Sequence, residues 1–232
     1  MKLEKVLGKL KESKLAIFTI NDLLKVTDLS KCVAYVYINR MVNRGLIYKI
    51  ERGKFTIYND PFLVSTQLLY PSYISFLTGL FLHGKTTQTI NEILVATSKR
   101  KNSVESFGLK IKFVKLNPKF MFGFNKVEKG SSYIFLAKLE KVILDSLYLP
   151  RYCPLSDVYN ALKEADIDKL LMFASELKVE AINRRLGYML EVLGVRTNLV
   201  AQNRTPYKLN PAIKSLGEFN KKWRLYVNEV LE

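Results

Sequence analysis

Three side chains spaced four residues apart, Lys31, Tyr35 and Asn39, lie in a segment of the chain that has helical periodicity. An asparagine can form two hydrogen bonds with adenine in the major groove of DNA, and a tyrosine can stack on a base or donate one bond. A recognition helix presents its N-terminal residues to base edges. We therefore expect these three side chains to lie closest to the bases of bound DNA.

The neighbouring polar and cationic side chains suit the phosphate backbone, which fixes the orientation of a protein on a duplex. Together with the base-proximal residues, the predicted DNA contacts are Ser30, Lys31, Tyr35, Asn39, Arg40, Asn43, Arg44, Arg52 and Lys54. The alternative is that this helix turns its polar side to water and that Arg52 and Lys54 only form a turn.

Local signals predict the elements that would position these side chains. At 100° per residue, Ala34, Ile38 and Met41 share one side of a helix that Ser30 would cap and Gly45 would end. Two shorter helices precede it, and the runs "LIYKIE" and "KFTIY" around Arg52-Gly53 are typical of a hairpin. This order predicts a winged helix-turn-helix domain over residues 1–60.

The charge of the chain favours polyanionic partners. The 37 Lys and Arg residues against 21 Asp and Glu residues give a net charge of +16 and a pI near 9.7. Neutralising phosphates releases condensed counterions, which favours binding of nucleic acid to such a surface. A lysine-rich protein with a solvated surface would have the same composition, so position along the chain must decide.

A second concentration of positive charge spans residues 97–130. The alternation of Lys110 and Lys112 with Ile111 and Phe113 predicts a strand with cations on one face. That face could contact phosphates or be the solvated side of a half-buried sheet. The possible second basic surface comprises Lys99, Arg100, Lys101, Lys110 and Lys112.

Beyond a boundary at Asn59-Asp60-Pro61, the pattern predicts a C-terminal domain over residues 61–232. Strand-like runs "EILVAT", "LKIKFVKL", "KFMFGFNK" and "SSYIFLA" predict a small, mostly antiparallel sheet in its first part, about 61–150. Helical periodicity with caps at Ser156 and Asp166 predicts a helical bundle and tail over about 151–232. The predicted fold class is α+β.

Signatures of catalysis and metal binding are weak. His83 is the one histidine of the chain, so a histidine-based metal cluster is excluded. The acidic residues on the predicted C-terminal helices suit caps and solvated faces, although a nucleic-acid-modifying enzyme could use them: Asp157, Glu164, Asp166 and Asp168. We expect no enzymatic activity, no cofactor and no bound metal.

The chain has no predicted membrane segment and no secretory signal. Its longest apolar run, "YISFLTGLFLHG", is shorter than the roughly 20 residues of a transmembrane helix. Cys32 and Cys153 do not form the pattern of a disulfide framework, which fits a reducing compartment. We therefore expect a cytoplasmic location.

Four segments, in order along the chain, resemble one protein family. "YINRMVNRGLIYKIERGKFTI", "LFLHGKTTQTINEILVAT", "LAKLEKVILDSLYLPR" and "YKLNPAIKSLGEFNKKWRLYVN" are similar to segments of the AbiEi antitoxins of bacterial and archaeal abortive-infection systems. The likeness covers nearly the whole chain. Each motif alone is loose, whereas four in register are fairly specific.

The AbiEi resemblance implies a function for each part of the chain. The winged helix-turn-helix would bind inverted repeats of double-stranded DNA in its own promoter and repress it. The C-terminal domain would counteract a cognate nucleotidyltransferase toxin without a stable complex, in a type IV toxin-antitoxin system, and a contact with RNA is possible. The alternative is a regulator of the same architecture that acts on other genes and has no toxin partner.

Overall fold

The computed structural model describes residues 3–231, which divide into two compact units. The first comprises the chain up to Ile74 with Asn91–Met121 and Asn125–Leu136, and the second comprises Ser75–Ile90, Phe122–Phe124 and the chain from Ala137 onward. Helices and strands in both units confirm the predicted α+β class. The sequence boundary near residue 60 does not separate these units, because the N-terminal elements share the first unit with most of a sheet.

The first unit begins with helices packed on a hairpin. Its elements are α1 (Leu3–Glu12), α2 (Ile20–Val26), α3 (Lys31–Asn43), β1 (Tyr48–Glu51) and β2 (Lys54–Thr56). Strands β1 and β2 are antiparallel. Apolar side chains from all three helices form a continuous core with Phe18 and Ile47, which buries the inner side of α3.

Short-range signals fix the ends of these helices. Thr19 and Asp22 form a reciprocal capping box at the start of α2, as their spacing predicts. Gly45 follows α3 with φ +65°, and its N–H donates to the Val42 carbonyl at 2.9 Å. The Leu46 N–H donates to the Met41 carbonyl at 2.9 Å, which completes a Schellman motif. The predicted end of α3 at Gly45 is confirmed.

Helix α4 (Pro61–Gln67) connects the hairpin to a mixed sheet. The strands of the sheet are β3 (Ser72–Ile74), β4 (Glu92–Thr97), β5 (Val104–Ser106), β6 (Leu109–Lys115), β7 (Phe124–Lys129) and β8 (Ser132–Ala137). Their order is β5-β6-β4-β3-β8-β7.

The sheet is mixed and not uniformly antiparallel: β3–β4 and β5–β6 are antiparallel, whereas β4–β6 and β3–β8 are parallel. The parallel β4–β6 pairing arises because the strand that follows β4 in sequence, β5, lies at the sheet edge. Phe107 and Gly108, with φ +49° and +78°, then return the chain through a two-residue turn into β6. The parallel pairing of β4 with β6 is thus a consequence of an edge strand that the sequence analysis did not predict.

The second unit is mainly helical. Its helices are α5 (Phe76–Leu82), α6 (Leu139–Tyr148), α7 (Leu155–Leu162), α8 (Ile167–Leu177) and α9 (Glu180–Val192). Helix α6 is almost wholly buried, including Lys141 and Asp145, which form an ion pair. Ser75 donates to the Asp145 carboxylate at 2.8 Å, so this buried charge has both an ionic and a hydrogen-bonding partner.

The helix caps of the second unit match the sequence in part. Asp166 caps α8 and accepts from the Lys169 N–H at 3.1 Å, as predicted. The predicted cap at Ser156 is wrong, because α7 begins at Leu155 after Pro154 and includes Ser156 as a helical residue. Pro154 occupies the N-cap position and makes no side-chain capping hydrogen bond.

The chain ends in a small sheet against α9. Its strands are β9 (Tyr207–Lys208), β10 (Glu218–Asn220) and β11 (Leu225–Val227), in the order β10-β11-β9. Trp223, at the turn before β11, is buried over Gly187, where an added Cβ would stand 2.2 Å from its ring. The glycine is therefore required by the close approach of helix and indole.

Candidate nucleic-acid interface

Helix α3 presents a polar and aromatic face to solvent. Ala34, Ile38 and Met41 are buried on its inner side. On the outer side Tyr35 is 51% exposed, and Lys31 and Asn39 are also exposed. The three base-proximal candidates therefore share one accessible face of a helix whose inner side is fixed by packing.

The same face carries apolar side chains that the sequence analysis did not select. Val36 is 46% exposed and lies between Cys32, Asn39 and Arg40 on the helix surface. Exposed valines on a helix are ordinary, but a methyl group is also what contacts the methyl of thymine in the major groove. Helical spacing alone puts Val36 on the same face as Cys32, Asn39 and Arg40, so its position could have been predicted from the sequence.

The predicted phosphate contacts of α3 are free of internal partners. Within the described range 3–231, the side chains of Arg40, Asn43 and Arg44 form no hydrogen bond or ion pair, and all three are exposed. Ser30 occupies the N-cap position, but its hydroxyl forms no capping hydrogen bond. These donors remain available to an external acceptor.

The two cations of the hairpin differ in their surroundings. Arg52, beside Gly53 with φ +75°, is exposed at the turn. Lys54 instead forms an ion pair with Glu51 at 2.8 Å and donates to the Leu68 carbonyl at 2.7 Å. The structure therefore leaves Arg52 as the accessible cation of the turn, and Lys54 holds the base of the hairpin.

Contacts of Glu51 and Tyr48 join the hairpin to residues beside β5. Lys101 donates to its carboxylate at 2.5 Å, and Tyr48 packs edge-on against Phe107 with ring centroids 5.1 Å apart. Burial raises the pKa of Glu51, but hydrogen bonds from Lys101 and Lys54 outweigh that effect and leave the pKa below its ordinary value. Glu51 is thus held as a carboxylate between two lysines.

The members of the possible second basic surface are not equivalent. Lys101 is engaged by Glu51, and Lys112 forms an ion pair with Glu92 at 3.1 Å. Lys99, Arg100 and Lys110 are exposed. Ion pairing leaves the last three as the more accessible cations of this set.

The acidic candidates of the second unit are dispersed among structural contacts. Asp157 accepts from Thr86 at 3.0 Å and from Gln88 at 2.9 Å, and Glu164 pairs with Lys85 at 2.5 Å. Over residues 3–231, no group of three or more His, Cys, Asp or Glu side chains could hold a metal ion.

The single histidine and the buried cysteine also have structural surroundings. His83 Nε2 lies 2.7 Å from the Ala137 carbonyl oxygen. Burial raises the pKa of the Cys153 thiol to about 12, which disfavours a reactive thiolate. Neither side chain resembles an activated catalytic group.

Comparison with known proteins gives a fold and no family. No protein-family model and no curated protein matches the chain. Among solved structures it is similar to the crystal structure of the RV2827C protein from Mycobacterium tuberculosis, with a TM-score of 0.61 and 10% sequence identity over 96% of this chain and 89% of that chain. In the described part of the chain, each helix is too short or too polar to cross a membrane. The structural likeness shows that the two chains share a fold.

Proposed function

We propose that this chain is a DNA-binding antitoxin that represses its own promoter by binding inverted repeats. Its N-terminal helices and hairpin would act as a winged helix-turn-helix, with α3 in the major groove and the β1–β2 hairpin as the wing. The observation that carries the proposal is the accessible face of α3, where amide, aromatic and cationic side chains lie beside a hairpin with Arg52 at its turn.

The dimensions and chemistry of α3 support this role. The major groove is about 12 Å wide and admits a single helix with its side chains. Lys31, Tyr35 and Asn39 would read base edges, and Val36 would contact a thymine methyl. The donors without internal partners would bind phosphates: Ser30, Arg40, Asn43 and Arg44.

The hairpin and the sheet would extend the DNA contact. Arg52 would approach the minor groove or a phosphate, and Lys54 would support it through Glu51. Lys99, Arg100 and Lys110 would add phosphate contacts beyond the winged domain, whereas Lys101 and Lys112 would act mainly through their ion pairs. Such contacts steepen the salt dependence of binding without reading sequence.

The antitoxin activity is proposed to reside in residues 61–232 and to oppose a cognate nucleotidyltransferase without a stable complex. The resemblance of four segments to AbiEi antitoxins supports it, as does a large folded part beyond the hairpin that operator binding alone does not require. In this proposal the protein acts in the cytoplasm as a non-enzymatic type IV antitoxin without a cofactor, and its C-terminal part contacts RNA.

Footprinting upstream of the protein's own gene tests the repressor function. Paired protected half-sites with inverted symmetry are expected, at affinities that fall steeply with added salt. A duplex from the same region with scrambled half-sites is the control. Equal protection of both duplexes, or of neither at low salt, would contradict the proposal.

Co-expression with the neighbouring nucleotidyltransferase tests the antitoxin function. Point variants are preferable to truncation, since a cut at residue 61 would pass through the first compact unit. The variant Asn39→Ala with Arg44→Ala should lose promoter repression and still restore growth. Loss of both activities together would reject their separation, and a locus without such a toxin gene would favour the regulator of other genes.

A further inference from the structure

Three aromatic rings form a row on the first unit. Tyr70, which is 67% exposed, lies with its ring centroid 6.1 Å from that of Phe135. Phe135 lies 5.6 Å from Tyr133, and these two rings meet nearly at right angles. We name Tyr70, Phe135 and Tyr133 the aromatic row.

The row is presented by a rigid strand. In β8, Ser132, Ile134 and Leu136 are buried and alternate with the partly exposed Tyr133 and Phe135. The two rings therefore point away from the core.

Helix α4 holds the backbone of this strand in place. The Phe135 N–H donates to Thr66 Oγ1 at 3.1 Å, and the Gln67 amide donates to the Tyr133 carbonyl at 2.9 Å. Binding at the row would therefore need little ordering of the backbone, which lowers its entropic cost.

A cation covers the end of the row. Lys126 is exposed, and its ammonium lies 3.8 Å from the centre of the Tyr133 ring. Strand β7 also contains Lys129, which forms an ion pair with Asp60 at 2.5 Å. Aromatic surface beside the exposed Lys126 is complementary to a ligand that has flat rings and phosphates.

We propose that the aromatic row binds single-stranded RNA, with bases stacked on Tyr70, Phe135 and Tyr133 and a phosphate held by Lys126. The inference rests on the proposed function, in which the chain beyond residue 60 contacts RNA. Stacking on protein rings requires unpaired bases, so this ligand differs from the duplex that α3 reads. Within residues 3–231 the hydroxyls of Tyr70 and Tyr133 form no hydrogen bond, so both are available to a ribose 2′-OH.

Typical interaction energies favour replacement of Lys126 by a base on the Tyr133 ring. An exposed cation–π contact contributes about 0.5 to 1 kcal/mol. A base stacked on an aromatic side chain contributes about 1 to 3 kcal/mol. Lys126 is long and exposed, so it can leave the ring for a phosphate while a base takes its place. Tyr133 thus gains the stronger contact, and Lys126 keeps an electrostatic one.

Fluorescence anisotropy of the full chain with a labelled 12-nucleotide oligouridylate or oligoadenylate tests the inference. The wild type should bind, and Tyr70→Leu and Tyr133→Leu should each weaken binding at least about fivefold. Lys126→Gln should reduce the salt dependence. Leucine keeps apolar contact and removes the ring, and circular dichroism checks that each variant is folded.

The matched control is Phe219→Leu, which removes another exposed ring that also contacts a tyrosine, Tyr226, at 5.0 Å. It should leave RNA affinity unchanged. The inference is overturned if the wild type does not bind, if the control weakens binding as much as Tyr133→Leu, or if deoxyoligonucleotides of the same length bind more tightly than RNA. Binding of duplex operator is measured separately, so failure of the repressor proposal would be distinguished from failure at the aromatic row.

Discussion

Helices α3 and α9 are each 13 residues long and bear arginines in opposite environments. On α3, Arg40 is exposed and has no internal partner within the described residues. On α9, Arg184 is fully buried, bonded to Glu180 at 2.7 Å and to the Asn203 and Thr205 carbonyls at 2.6 and 2.5 Å. Arginine is therefore accessible to ligands on α3, whereas on α9 it forms internal hydrogen bonds and an ion pair.

This difference limits what net charge can indicate. Arg185 of α9 donates to the Leu147 carbonyl at 2.6 Å, and burial lowers its pKa to about 10. Lys141 is likewise buried in an ion pair with Asp145. Part of the +16 charge is therefore internal, and polyanion binding depends on where the accessible cations lie.

The largest effect expected on either helix is that of Arg184→Met. It leaves the Glu180 carboxylate without its ion pair and the Asn203 and Thr205 carbonyls without a donor, so the free energy of unfolding should fall by about 3 to 5 kcal/mol. Urea denaturation followed by circular dichroism measures it. Arg44→Met, on exposed surface, should change stability by less than about 0.5 kcal/mol. Equal effects of both substitutions would remove the distinction between the helices.

Gly187→Ala tests the packing of α9. The new Cβ would stand 2.2 Å from Trp223, so the free energy of unfolding should fall by about 1 to 3 kcal/mol, with a change in the fluorescence of the single tryptophan. Gly8→Ala on α1 is the matched control, because a Cβ added there would meet no described atom within 4 Å beyond its chain neighbours and the backbone of its own helix. That change should stabilise the protein by about 0.5 to 1 kcal/mol. A stabilising Gly187→Ala would contradict the packing.

Asn39→Ala tests whether the exposed side chains of α3 contact DNA as proposed. If Asn39 reads a base, the variant should lose about 1 to 3 kcal/mol of binding free energy on the operator and little on random duplex, with stability unchanged. Arg44→Ala should weaken binding to both duplexes and reduce the salt slope by about 1. Anisotropy titrations at several salt concentrations measure both, and an equal loss on both duplexes would make Asn39 a non-specific contact.

Glu51→Gln should lower the free energy of unfolding by about 1 kcal/mol at neutral pH, less than Arg184→Met. Because its folded-state pKa is below 4.5, the ion pairs of Glu51 stabilise the protein above the ordinary carboxyl pKa. That contribution is lost as the pH falls through the lowered pKa. Thermal unfolding of the wild type and the variant should therefore differ at pH 7 and converge in acid. A difference that persists in acid would implicate packing.

Elements that depend on short-range signals could be predicted from the sequence. The capping box of Thr19 and Asp22, the end of α3 at Gly45 and the cap at Asp166 each involve residues within a few positions of one another. The exposed face of α3 followed from helical periodicity in the same way. Strands β4, β6 and β8 were also found, since apolar and polar residues alternate or buried runs are bounded by turns.

Features that depend on distant residues could not be predicted. Nothing near Glu51 in sequence indicates that Lys101, 50 positions away, would form an ion pair with it. The edge position of β5 and the parallel pairing of β4 with β6 likewise depend on residues that are far apart in the sequence. Phe107 adopts a positive φ at the turn before β6, which a bulky residue rarely does, so its residue type does not indicate this turn.

The side chain of Gln67 connects the segment between α1 and α2 to β8, a strand that is synthesised much later. Its amide oxygen accepts from the Ala16 N–H at 2.8 Å, and its nitrogen donates to the Tyr133 carbonyl at 2.9 Å. Ser132 also donates to the Lys14 carbonyl at 2.7 Å. A nascent chain can therefore anchor its N-terminal helices to β8 only after Tyr133 has left the ribosome. Translation that stops before that point would release the proposed recognition residues of α3 without these contacts.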